Sequence, residues 1–172
     1  MIRYLFWLIS IITFYFLISE ITDILNIFYR GTATILTLLF AATVITFELN
    51  KNNISFVCYL VFVAVFLLFR HPPENNFNFE FYLWKWFKII AYNRTAFINI
   101  IGNLILFMPM IFYINNRYNL LFVFGFILLF ETIQFITWRG VFDVVDIVLN
   151  ATGAVIGKSI QKLNKFFSRQ YS

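Results

Sequence analysis

The sequence predicts an all-α fold, an integral membrane bundle of about six transmembrane helices with an interfacial segment between the third and fourth. Three observations carry that reading. First, 62% of the residues are hydrophobic and only 12% charged, with a mean hydropathy of +0.83, whereas a soluble domain carries about 25% charged residues. A soluble chain of 172 residues with this composition would lack the polar surface to cover itself. Second, the apolar runs are close to the roughly 20 residues that cross about 30 Å of hydrocarbon. Third, the 13 basic residues stand scattered at the ends of those runs, which fixes orientation in a membrane and argues against a nucleic-acid surface.

Taken in order, the first run extends from Tyr4 to Ser19 and, less purely, through Glu20 and Asp23 to about Phe28. Arg3 precedes it as in a secretory signal, but Leu17-Ile18-Ser19-Glu20 offers a poor cleavage site, so the segment is read as a retained helix. The second span covers Gly31 to Leu49 and the third Ile54 to Phe69. A longer connection follows, from Arg70 to about Phe97. Within it Phe81-Tyr82-Leu83-Trp84-Lys85-Trp86-Phe87-Lys88 mixes rings with lysines, a composition suited to the headgroup layer. The fourth span is Ile98 to Ile114, the fifth Asn119 to Trp138 and the sixth Phe142 to about Ile160, before a short basic tail from Lys158 to Ser172. No repeat or linker divides the chain, so residues 1–172 read as a single membrane domain. Lys158, Lys162, Lys165 and Arg169 form the densest basic cluster, which places the C-terminus, and after six crossings the N-terminus, in the cytoplasm. The lone Cys58 lies in an apolar run and reads as a small hydrophobe. No cofactor and no metal are expected.

Polar residues gather in the last three spans. At 100° per residue, Asp143, Asp146, Asn150, Gly153 and Gly157 share an arc of about 80° on the sixth span. An aspartate in the hydrocarbon core costs about 2.5–3.5 kcal/mol on insertion scales, so this stripe is expected to face the bundle. Its Gly-x-x-x-Gly should let a neighbouring backbone approach closely. Glu131 and Gln134 share one face of the fifth span, and Asn99 and Asn103 one face of the fourth, with Gly102 between them and Pro109 beyond. Arg139 and Gly140 form the turn between spans five and six. Together with Arg70, Glu20 and Asp23 these groups are expected to converge on the outer half of the bundle. Arg139 is expected within salt-bridge reach of Glu131, Asp143 or Asp146. His71, beside Pro72 and Pro73, reads as ordinary loop chemistry.

As an ordered set, Asn99-Ile100-Ile101-Gly102-Asn103, Phe107-Met108-Pro109, Glu131-Thr132-Ile133-Gln134, Arg139, Asp143-Val144-Val145-Asp146, Asn150, Gly153 and Gly157 resemble the VanZ-like family. That family is named for a small membrane protein associated with teicoplanin resistance in bacteria. The resemblance covers about residues 70–158. The chain departs from the family pattern at Ile111, where a glycine is usual, and at Asn78-Phe79-Glu80-Phe81, where Asn-x-x-Pro-Phe is usual. The resemblance implies a multi-pass protein of the bacterial cell membrane with a role in the envelope.

The leading functional reading is an outer-half pocket that recognises an anionic lipid, a lipid-linked wall precursor or a glycopeptide. In it Arg70, Arg94 and Arg139 contact phosphate. Asn99, Asn103, Gln134 and Asn150 hold hydroxyl or amide groups, and Glu131, Asp143 and Asp146 orient the arginines. The alternative is a membrane hydrolase or transferase. There Glu131 is the general acid or base, and Asp143 with Asp146 holds a divalent cation. An ion-coupled transporter is the third class, disfavoured by the lack of a repeat.

Overall fold

The computed structural model describes residues 2–74, 77–78, 92–114 and 117–170. The aromatic and lysine-bearing stretch 81–88, read from sequence as interfacial, lies outside the described residues. The chain forms two compact units, Met1–Glu74 with Trp138–Gly140, and Asn75–Thr137 with Val141–Ser172. Among the described residues there are six helices of thirteen residues or more and one of four, so the predicted all-α class holds.

The first unit is three helices, α1 (Ile2–Leu25), α2 (Thr32–Glu48) and α3 (Asn52–Leu68). Short connections make them antiparallel neighbours, and α2 packs against both others. Phe14 of α1 stacks on Phe40 of α2 at 4.2 Å between centroids. Ser55 of α3 is fully buried and donates to the Thr43 carbonyl at 2.9 Å, a polar tie of the kind that holds helices together where lipid removes the hydrophobic drive. Leu5, Phe6, Leu8 and Ile9 of α1 are more than half exposed, a face that suits hydrocarbon rather than water. At one end Glu48 takes an ion pair from Arg3 and a 3.0 Å hydrogen bond from Trp7 Nε1. At the other end α1 stops at Leu25, three residues before the expected Phe28. Asn26 adopts the left-handed region (φ 50°) and its N–H donates to the Thr22 carbonyl, which closes the helix in the way such residues do.

The second unit holds α4 (Arg94–Leu106), α5 (Met110–Tyr113), α6 (Asn119–Thr137) and α7 (Val144–Gln170). Asn93 caps α4, accepting from the N–H groups of Thr95 and Ala96, as an N-cap asparagine does. The expected fourth span, Ile98 to Ile114, is not one helix. It breaks at Phe107–Pro109, because Pro109 has no N–H to donate and its ring disfavours helical backbone at Met108. The helix at the expected sixth span is longer than expected, since α7 carries on through the basic tail to Gln170, and with its polar stripe and tail it is not one of the helices apolar enough by composition to count as a span. A two-residue parallel pairing, β1 (Phe77–Asn78) with β2 (Phe142–Asp143), precedes α7.

Register follows from the contacts. Asn103 meets Asp146, Leu104 meets Gly153 and Met108 meets Gly157, so α4 and α7 run parallel. Phe135 meets Phe142, and Asn119 meets Gln161, so α6 runs antiparallel to α7. A Cβ on Gly153 would lie 2.8 Å from the Leu104 carbonyl carbon and closer still to its oxygen, and one on Gly157 would lie 2.8 Å from the Met108 oxygen. The expected close approach is therefore made, against the segment leading into the proline break. Three helical segments, Arg3–Leu25, Arg94–Tyr113 and Asn119–Thr137, are long and apolar enough to cross a membrane, while α2 and α3, at 17 residues each, are shorter apolar helices.

Candidate functional site

The polar residues of the second unit lie where three helices meet. Asp143 is buried and its Oδ1 accepts from the Val145 N–H at 2.8 Å, capping the start of α7. One turn on, Asp146 Oδ1 accepts from Asn103 Nδ2 at 2.5 Å, a short bond of the charge-assisted kind. Asn150 follows, 1% exposed, with no hydrogen-bond partner for its Oδ1 among the described residues. Glu131 and Gln134 of α6 are each 4% exposed. The stripe on α7 thus turns inward as expected, as do the two polar residues of α6. Asn99 is half-buried one turn before Asn103, and Arg94 is exposed at the start of α4.

Depth can be counted along the helices. Asn119 and Lys158 touch at 2.8 Å. Glu131 is twelve residues from Asn119 on α6, and Asp146 twelve from Lys158 on α7, each about 18 Å at 1.5 Å per residue. The two carboxylates therefore occupy one level of this unit, well inside a hydrocarbon layer about 30 Å thick.

In the first unit the structure brings Arg70 and Arg139 together. The bridge between Phe28 and Arg70, with the His71 N–H donating to the Ile27 carbonyl at 2.7 Å, ties the α1–α2 connection to the end of α3. Arg139 reaches this corner. Its Nη1 donates to the Tyr29 hydroxyl and, at 3.0 Å, to the Arg70 carbonyl, with Cζ 5.5 Å from the Tyr29 ring centroid. Arg70 Nε donates to the Phe66 carbonyl at 2.8 Å, closing the last turn of α3, and its Cζ lies 5.1 Å from both the Phe28 and Phe66 rings. Cation–π contacts and helix C-terminal carbonyls both favour guanidinium in these places.

A guanidinium carries five N–H groups. Arg139 engages its two Nη1 hydrogens on neutral oxygens, which leaves Nε–H and the two Nη2–H groups without protein partners among the described residues. That edge is the one that grips carboxylate or phosphate through two parallel bonds. Trp138, immediately before it, is held at φ 53°, a left-handed backbone that costs a bulky residue about 1–2 kcal/mol. The turn between α6 and α7 was expected at Arg139 and Gly140; Gly140 is buried, and a left-handed residue stands at Trp138. The left-handed residue falls at Trp138 because α6 ends at Thr137, and the next residue must turn the chain.

Within the first unit Arg139 bonds the Tyr29 hydroxyl and the Arg70 carbonyl, while Glu131, Asp143 and Asp146 belong to the second unit. Glu20 and Asp23 are exposed, since carboxylates within two turns of a helix end can reach outward to polar surroundings. Tyr29 was not singled out from the sequence, although it follows an apolar run directly. His71 is exposed, with its ring 4.2 Å from that of Tyr29. Lys158, read from the sequence as part of the basic cluster, forms a second polar group with Asn119 and Gln161, neither of which the sequence singled out. Among the described residues no three of His, Cys, Asp and Glu gather as a metal set.

The sequence model of the VanZ/LLP1 family matches residues 56–165, well over half of the chain. No curated protein and no solved structure matches it.

Proposed function

From the chain's membership of the VanZ/LLP1 family, we propose that it is a bacterial cell-envelope protein that recognises an anionic lipid or lipid-linked wall component through Arg139. The observation that carries this reading is the open Nε/Nη2 edge of Arg139. The side chain is fixed by Tyr29 and the Arg70 backbone, so the bidentate edge is oriented in advance and loses little freedom on binding. Both arginines sit on aromatic faces at the end of apolar helices, the depth of a phosphodiester headgroup. With both termini cytoplasmic this corner faces outward, where lipid-linked wall precursors and teicoplanin meet the membrane.

The test is susceptibility. Expressed in a teicoplanin-sensitive Gram-positive host, the chain should raise the inhibitory concentration of teicoplanin, and Arg139→Gln should return it to the vector level at unchanged protein abundance. A variant as protective as the parent would defeat the role of Arg139. No effect of the parent would defeat the resistance reading. A metal-dependent hydrolase is supported less well, because Asp143 and Asp146 each have an oxygen engaged by the protein itself. Accordingly Mg²⁺ and Mn²⁺ should leave the thermal stability of the detergent-solubilised chain unchanged. Stabilisation that vanishes in Asp146→Asn would favour the enzyme.

A further inference from the structure

At the end of the second unit remote from Asp146, a lysine is held in place without a counter-charge among the described residues. Lys158 Nζ donates to Asn119 Oδ1 at 2.8 Å and to Gln161 Oε1 at 3.4 Å. Asn119 is 1% exposed and Gln161 8%. Gln161 Nε2 donates to the Ile111 carbonyl at 3.0 Å, and Asn119 Nδ2 to Gln161 Oε1 at 3.4 Å. Those two bonds fix which way the amides point, because a carbonyl can only accept. Both amide oxygens therefore face the ammonium group. The arrangement has a local cause. Helix α5 ends at Tyr113, which leaves its last carbonyls without helical partners, and Gln161 satisfies that of Ile111, so the amide pair and the lysine assemble around that helix end.

The ammonium group has three N–H donors, and two of them meet neutral oxygens. Among the described residues no carboxylate pairs with it. Lys158 is half-buried, and a charge there without a partner is costly unless something anionic reaches it. Its depth says what can. Asn119 is the first residue of the apolar span Asn119–Thr137, so Lys158 stands at the boundary of the hydrocarbon. Exposed Tyr118 and Arg117 precede that boundary, with the Arg117 Cζ 5.9 Å from the Tyr118 ring, and exposed Lys162 follows Lys158 by one turn of α7. Tyrosine and basic side chains at this depth mark the headgroup layer, where the anions are phosphates.

We propose that Lys158, positioned by Asn119 and Gln161, is a phosphate-binding site at the inner end of α7, distinct from the Arg139 corner. The ligand is a phosphate oxyanion, supplied by a lipid phosphodiester or by free phosphate. Binding is read as a thermal shift of the full-length chain in uncharged detergent. Carrying Arg139→Gln in every sample removes the other anion site. The samples are titrated with phosphatidylglycerol, with diacylglycerol of the same chains, and with inorganic phosphate. Phosphatidylglycerol should stabilise the chain and diacylglycerol should not. Lys158→Gln should weaken the apparent affinity about fivefold, the factor expected for one juxtamembrane basic residue, while Lys158→Arg should keep it. Stabilisation by phosphatidylglycerol alone assigns a lipid, and equal stabilisation by inorganic phosphate assigns the free anion. Either supports the site. Should Lys158→Gln not fold, acylation of Lys158 by an amine reagent on the Arg139→Gln chain gives a second measurement, and phosphatidylglycerol should slow it. The proposal is overturned if Lys158→Gln binds phosphatidylglycerol like its parent, if diacylglycerol stabilises equally, or if no phosphate protects Lys158 from acylation.

Discussion

Substituting Gly153 by alanine tests the packing on which the second unit depends. The new methyl group would lie 2.8 Å from the Leu104 carbonyl carbon, whereas an ordinary carbon contact is about 3.5–4.0 Å. Helix α4 must then retreat by about 1 Å, because the obstacle is backbone and cannot swing aside as a side chain would. A retreat of that size carries the neighbouring Asn103 with it and takes its 2.5 Å bond to Asp146 beyond the roughly 3.2 Å limit of a good hydrogen bond. Overpacking costs about 1–3 kcal/mol, and an interhelical hydrogen bond in a membrane contributes about 0.6 kcal/mol. Alanine itself gains about 0.8–1.0 kcal/mol over glycine in a helix, and that gain must be removed by a control. Gly125 provides it, since a Cβ there meets nothing within 4 Å. The difference between Gly153→Ala and Gly125→Ala isolates the steric cost at about 2–3 kcal/mol. At about 2–4 °C per kcal/mol for a chain of this size, thermal unfolding in detergent should separate the two variants by roughly 5–10 °C, and Gly153→Leu by more. Equal melting temperatures for Gly153→Ala and Gly125→Ala would refute the close approach of α7 to α4.

Other outcomes follow from the same geometry. Tyr29→Phe deletes the hydroxyl that accepts from Arg139 Nη1, so it should lower protection against teicoplanin several-fold with little change in stability, whereas full protection would show that the Tyr29 bond does not orient Arg139. Asp146→Asn leaves an amide facing an amide at Asn103 and should destabilise the chain by about 0.5–1.5 kcal/mol, with Asn103→Ala adding little on top because the two share one bond; additive losses would argue against that bond. For orientation, in a chain with Cys58 replaced, a cysteine at exposed Glu74 should react with an impermeant reagent from outside and one at exposed Asn164 should not. The reverse labelling would move the Arg139 corner to the cytoplasmic face.

Much of the fold was legible in composition. Apolar runs of helical length admit few structures in lipid, because every backbone polar group must be satisfied within its own segment. Helix number, approximate bounds and the inward stripe on α7 follow from that rule and from the cost of an aspartate in hydrocarbon. Pro109 was visible too, yet the break it makes was not, since a proline in a membrane helix ends the helix only where other groups take up the carbonyls it frees. Here the Ile105 carbonyl that Pro109 leaves unpaired accepts from the Met108 N–H at 3.2 Å.

What the sequence alone determined, then, is which residues must avoid lipid: Glu131, Gln134, Asp143 and Asn150 are buried as their chemistry requires. What only the tertiary structure decided is whom they meet. The parallel register of α4 and α7 pairs Asn103 with Asp146, the link between the α1–α2 connection and the end of α3 brings Tyr29 and Arg70 to Arg139, and the end of α5 holds Gln161, which with Asn119 meets Lys158. The physical reason is that the core and the surroundings of a membrane protein are equally apolar. Hydrophobic periodicity, which tells inside from outside in water, therefore says little about which helix faces touch, and backbone approach at Gly153 and Gly157 sets the register instead.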